Sequence, residues 1–142
     1  MDINRKIISF KDLSVYRDSY EAMLKVLKEV VPYLPINERY DLTDQISRSC
    51  KSIPRLVAEG YAKRHQKAGF QKYLDDAMAE SNELVVSLTQ CLDIYPILIK
   101  QESCQALINM YDKLGRQLYR LNEAWSGFKK GRNLNLTTTP AS

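Results

Sequence analysis

Glycine and proline are scarce, five of each in 142 residues, and histidine and tryptophan occur once each. So few backbone breakers exclude a fold of many short strands, which needs such residues at its reversals. Long apolar runs are missing too. The longest, such as Tyr95-Pro-Ile-Leu-Ile99, falls far short of the roughly 20 residues that cross a bilayer. No signal core follows Met1 to Arg5. Cysteine is sparse and odd in number. Cys50, Cys91 and Cys104 are widely spaced on apolar helical faces, which predicts buried free thiols in a reducing compartment. A soluble cytoplasmic protein with no membrane partner is expected.

The chemistry that most enzymes need is also lacking. No glycine-rich phosphate loop, CxxC pair or His-x-x-x-His spacing occurs. The single His65 sits in Lys63-Arg-His-Gln-Lys67 and reads as a solvated loop residue, not a base. Asp76, Glu80 and Glu83 share a helix face, but di-metal bundles complete their sites with Glu-x-x-His pairs, and none is present. The expectation is a protein that is not an enzyme and has neither cofactor nor metal.

What is present is helical. Hydrophobic residues make up 44% of the chain and charged residues 27%, enough for one domain with a sizeable core. Ser9-Phe-Lys-Asp12 has capping-box spacing and predicts the start of a first helix. Its apolar stripe reads Leu13, Tyr16, Tyr20, Leu24 (or Met23), Leu27, Val31 and Leu34, and Pro32 and Pro35 end it. A second stripe is Leu42, Ile46, Cys50 (or Ser49), Ile53, Val57 and Gly60, with Pro54 expected to kink it. The third, Phe70, Leu74, Ala77, Ser81, Leu84, Leu88, Cys91 and Tyr95, alternates steps of four and three throughout. The fourth is Cys104, Leu107, Tyr111, Leu114, Leu118, Leu121, Trp125 and Phe128, with Gly115 able to admit a close partner backbone.

Four such segments with short connections predict an all-α, antiparallel up-down-up-down four-helix bundle over residues 1–128. The helices are expected at about 10–31, 38–63, 67–95 and 102–127. A flexible basic and polar tail is expected over 129–142.

Charge is segregated along the chain. From Gln45 to Lys72 seven cations, Arg48, Lys51, Arg55, Lys63, Arg64, Lys67 and Lys72, meet only Glu59. From Tyr73 to Asp112 seven acids face only Lys100, and from Lys113 to Arg132 six bases meet only Glu123. Arg48, Lys51 and Arg55, spaced three and four apart, stack on one helix face at a cost of about 0.2–0.5 kcal/mol per like-charged pair. Such a stripe needs either acids or an anionic partner. Tyr61 and Tyr73 offer stacking surfaces beside it for unpaired bases. Asp75, Asp76, Glu80 and Glu83 of the third helix supply the competing outcome, pairing within the subunit or between subunits. Arg116 and Arg120, followed by Lys129, Lys130 and Arg132, form a second candidate nucleic-acid surface.

Several stretches taken together resemble a known family. Phe10-Lys-Asp-Leu13 is followed by Glu38-Arg-Tyr-Asp-Leu42-Thr-Asp-Gln45-Ile46-Ser-Arg48, then Ser52-Ile-Pro54 through Ala58-Glu-Gly60. Phe70-Gln-Lys-Tyr-Leu74, Ser81-Asn-Glu83-Leu84 and Leu114-Gly115-Arg-Gln-Leu118 through Trp125 complete the order. They resemble the four-helix-bundle proteins encoded in 23S ribosomal RNA intervening sequences. That family is similar in fold to the accessory variability proteins of diversity-generating retroelements. The resemblance implies an all-α homopentamer. For the retroelement branch it also implies a basic surface that holds a reverse transcriptase with RNA or DNA. Two positions depart from the pattern: Leu56 stands where the family has Asn, and Ala79-Glu80 where it has Gly-Ser. The expected function is a non-enzymatic, oligomeric, nucleic-acid-associated adaptor. The alternative is an oligomeric protein-interaction scaffold whose charges serve subunit contacts.

Overall fold

The computed structural model describes residues 6–66 and 68–129, apart from the side chains of 128 and 129. Helices account for all its regular elements, and no strand occurs among the described residues. Four of them are long: α1 (Ser14–Glu29), α2 (Leu42–Ala62), α3 (Gln71–Ile94) and α4 (Gln101–Lys129). Single 3-10 turns at Phe10–Asp12, Val31–Tyr33 and Ile36–Glu38 flank α1 and fill the connection to α2.

The Ser9 capping box forms as its spacing implies. The Lys11 amide donates to Ser9 Oγ at 3.2 Å, and the Ser9 amide donates to Asp12 Oδ2 at 3.0 Å. It caps a single 3-10 turn, however, and the α-helix proper begins only at Ser14. At the other end, Pro32 falls in the first turn of a 3-10 element, where its missing amide costs nothing. Pro54 sits inside α2, which continues through it to Ala62. Lys129, expected in the tail, is the last residue of α4, and residues 130–142 lie outside the described residues.

The seams of α2, α3 and α4 pack as their spacing dictates. Ile46, Cys50, Ile53 and Val57 of α2, Leu74, Ala77, Leu84, Leu88 and Cys91 of α3, and Cys104, Tyr111 and Leu118 of α4 are completely buried. Each Leu or Ile removed from water in this way contributes about 1.5–3 kcal/mol.

Consecutive helices contact each other, and α1 closes the ring against α4. Gly60 permits the closest approach of α2 to α3: a Cβ there would lie 3.3 Å from Leu74 Cδ2. Where α3 ends and α4 begins, the Cys104 thiol reaches the Leu88 carbonyl at 3.5 Å. Near the other ends of those two helices, Asn122 donates to Asp75 Oδ1 at 3.1 Å and Gln71 to Ser126 Oγ at 3.3 Å. The aromatic rings of Phe70 and Trp125 meet edge to face, 5.4 Å apart, at that same end.

Helix α1 corrects its expected stripe. Leu13 of that stripe is buried, but beyond it the residues that face the core are Val15, Ser19, Ala22 and Val26, with Val30 just after the helix, one position round from the larger set. Tyr16, Met23 and Leu27 pack at the flank, while Tyr20 and Leu24 are 43% and 39% exposed. The two stripes are offset by one residue, about 100° on a helix. Packing chose the smaller side chains for the interior and left the tyrosines at its edge. Gly115 leaves its side of α4 open within the chain. Nothing lies within 4 Å of a Cβ placed there, so it serves no close approach within the chain.

Candidate nucleic-acid interface

Helix α2 buries one side against α1 and α3 and turns Arg48, Lys51 and Arg55 outward, all exposed. Arg48 Nε pairs with Asp44 Oδ2 of its own helix at 3.2 Å, with both side chains more than half exposed. Lys51 and Arg55 make no ion pair among the described residues. The α3 carboxylates do not neutralise this row. Asp76 takes Lys72, four residues back on α3, at 3.1 Å, and Asp75 takes Asn122. Glu80 and Glu83 make no ion pair among the described residues. Every ion pair there joins residues four apart on one helix, the class that contributes least to stability.

The outer face of α2 also lacks grease. No residue of Leu42–Ala62 is among the exposed large hydrophobics. A protein interface needs an apolar centre, whereas a phosphate backbone needs cations alone.

The connection from α2 to α3 carries a second group of cations arranged around two tyrosines. The Arg64 guanidinium lies 3.7 Å from the centre of the Tyr61 ring, and its Nη1 donates to the Tyr61 carbonyl at 2.7 Å. Two contacts therefore hold this arginine in a fixed plane. The Lys63 and Lys72 ammonium groups lie 6.0 and 5.9 Å from the centre of the Tyr73 ring. The hydrogen bond and charge of Asp76 push the Lys72 ammonium above its ordinary range, so it stays a cation. His65 is exposed in the same connection. Tyr61 packs inward, its ring 6.4 Å from that of Trp125. Lys67, Lys130 and Arg132 lie outside the described residues, as does the side chain of Lys129.

Arg116 and Arg120 are exposed on α4. Arg116 pairs with Asp112 one turn back, and Arg120 makes no ion pair among the described residues. Helices α2 and α4 are not neighbours in the ring, though Tyr61 meets Trp125 between them, so these cations form a separate surface and do not extend the α2 row.

The three thiols are buried and unlinked. Burial pushes Cys50 up to about 11, Cys91 to about 12 and Cys104 to about 11, which keeps all three protonated near neutrality. The Tyr111 hydroxyl is also buried, far above its ordinary range, and has no hydrogen-bond partner among the described residues. No group of three His, Cys, Asp or Glu side chains could hold a metal ion among the described residues. No described helix is long and apolar enough to cross a membrane.

One feature escaped the sequence reading. Leu42, Asp41, Gln45 and Glu38, at the start of α2, face Glu83, Val86, Ser87, Gln90 and Ile94 of α3 across a groove of about 510 Å³. Glu38 ties its end together: its Oε2 accepts from the Tyr95 hydroxyl and its Oε1 from the Leu42 amide at 3.3 Å. The only hint in the sequence was Val86 and Ile94, large apolar residues lying off the α3 seam.

A family model described as 23S rRNA-intervening sequence protein matches residues 11–120. No curated protein and no solved structure matches the chain.

Proposed function

The chain belongs to the 23S rRNA-intervening sequence protein family, and on that premise we propose that it is a non-enzymatic, oligomeric adaptor that holds a nucleic acid on the outer face of α2. The observation that carries this reading is the exposed row Arg48, Lys51 and Arg55, which no α3 carboxylate meets and no large exposed hydrophobic accompanies. Like charges stacked in a row raise the local potential, and a phosphate backbone relieves it. Lys63, Arg64 and Lys72 extend the positive field into the connection, where the fixed Arg64 plane offers a stacking surface for an unpaired base.

The proposal takes the fold as an antiparallel up-down-up-down bundle. Cross-contacts between the start of α3 and the end of α4, and between the end of α3 and the start of α4, support it. It also takes the assembly as a homo-oligomer acting in the cytoplasm, in keeping with three unlinked thiols. A ring of identical protomers repeats the α2 row, so a long polymer binds through many weak contacts. A reverse transcriptase held together with its RNA or DNA is the partner that the retroelement branch would supply.

Gel-shift titration with RNA and DNA at low and moderate salt tests the reading, with light scattering to give the assembly mass. Sequence-independent binding that weakens steeply with salt is expected. Failure of both nucleic acids to bind at low salt overturns it in favour of a protein-interaction scaffold.

A further inference from the structure

We propose that the groove between the start of α2 and the second half of α3 is a docking site for a cationic amphipathic helix of a partner protein, separate from the nucleic-acid surface. The groove holds about 510 Å³, room for a few side chains but not for a globular domain. Val86 and Ile94 on its α3 wall are 57% and 56% exposed, two large aliphatic side chains open to a partner beside the groove's carboxylates. They are eight residues apart, about 12 Å along the helix, which matches two turns of a second helix lying alongside.

The polar lining selects the sign of that helix. Asp41 opens α2 without making a side-chain cap, and neither it nor Glu83 makes an ion pair among the described residues. Glu38 adds a third carboxylate, fixed by Tyr95 and the Leu42 amide. No Lys or Arg lines the groove. A polyanion is therefore repelled from it, while lysines or arginines flanking an apolar stripe are attracted.

Ser87, only 4% exposed as a residue, forms part of the groove's floor. The chain's own α2 row is a poor match, since it offers cations without the apolar residues that Val86 and Ile94 require.

The test uses the full chain and a fluorescein-labelled peptide of two Leu-Lys-Lys-Leu-Leu-Lys-Leu repeats, followed by anisotropy. Controls are the same peptide with glutamate in place of lysine, and an oligolysine of equal charge. Saturable binding of the first peptide is expected, with both controls roughly tenfold weaker or worse, because the site needs charge and grease together. The pairs Val86→Ser with Ile94→Ser, and Asp41→Asn with Glu83→Gln, should each weaken it by roughly tenfold. These are surface positions. Should one pair unfold, the other decides. RNA binding by these variants should be unchanged, while peptide binding should survive neutralisation of Arg48, Lys51 and Arg55, so the two proposals stand or fall separately. Equal binding of oligolysine, indifference to both pairs of substitutions, or absence of saturation overturns the site. A change of assembly mass in Val86→Arg also overturns it, because a second copy would then occupy the groove.

Discussion

Replacing Arg48, Lys51 and Arg55 together by alanine separates a binding surface from a structural one. If each side chain meets one phosphate, each contributes about 0.7 to the slope of log K against log salt for single strands and about 0.9 for duplex. Three contacts make up about 2.1 to 2.7 of that slope, or roughly a 20- to 40-fold loss of affinity between 50 and 200 mM salt. The triple variant should lose that part of the slope for every sequence tested.

The fold should barely notice. The variant gives up the exposed Arg48–Asp44 pair, about 0.3–0.5 kcal/mol, and relieves two repulsions, Arg48 with Lys51 and Lys51 with Arg55, of about 0.2–0.5 kcal/mol each. The balance runs from about −0.1 to about 0.7 kcal/mol in the variant's favour, less than about 3 °C in Tm. Gel shifts over a salt series, with thermal melts and light scattering on the same samples, provide the readout. A slope unchanged from the wild type refutes the reasoning. So does a melt or assembly mass that collapses, because the cations would then be serving subunit contacts.

Core and backbone substitutions test the packing. Phe70→Ala removes a buried ring that meets Trp125 edge to face and should cost about 3–5 kcal/mol in urea unfolding. Tyr111→Phe should stabilise by about 1 kcal/mol, since it deletes a buried hydroxyl that has no partner among the described residues; a loss of stability would show that a buried water satisfies it. Gly115→Ala should stabilise by about 0.5–1 kcal/mol because nothing crowds a Cβ there, and a change of assembly mass instead would place a partner chain against it. The thiols set an alkaline limit. Their folded pKa values, about 11 to 12, lie above the ordinary 9.0, so the unfolded chain loses its protons first and binds fewer of them above pH 9. Stability is therefore fully present below pH 9 and falls as pH rises towards 12, with urea midpoints at pH 8 and pH 10 as the check. A midpoint that does not move sinks the assignment.

Much of the fold was legible because helix periodicity is a local property. Steps of three and four along Leu42 to Gly60 and Phe70 to Cys91 place those residues on one face whatever surrounds them, and they are the buried ones. Helix α1 was misread for the same local reason. Val15-Ser19-Ala22-Val26 and Tyr16-Tyr20-Leu24 are both sound stripes, and hydrophobicity alone favours the bulkier one. Only the space left between α2 and α4 decides for the smaller.

For the candidate surface, the sequence by itself determined that Arg48, Lys51 and Arg55 share a face, because residues three and four apart must stack on any helix. It could not determine whether Asp75, Asp76, Glu80 and Glu83 reach them, since that depends on how two helices are rotated against each other. The tertiary structure decided it: Asp75 and Asp76 are taken by Asn122 and Lys72, and the α2 row is left facing outward. The groove belongs wholly to the tertiary level. Asp41 and Val86 are 45 positions apart, and no local pattern announces that packing Leu42 beside Ser87 opens a cleft between them.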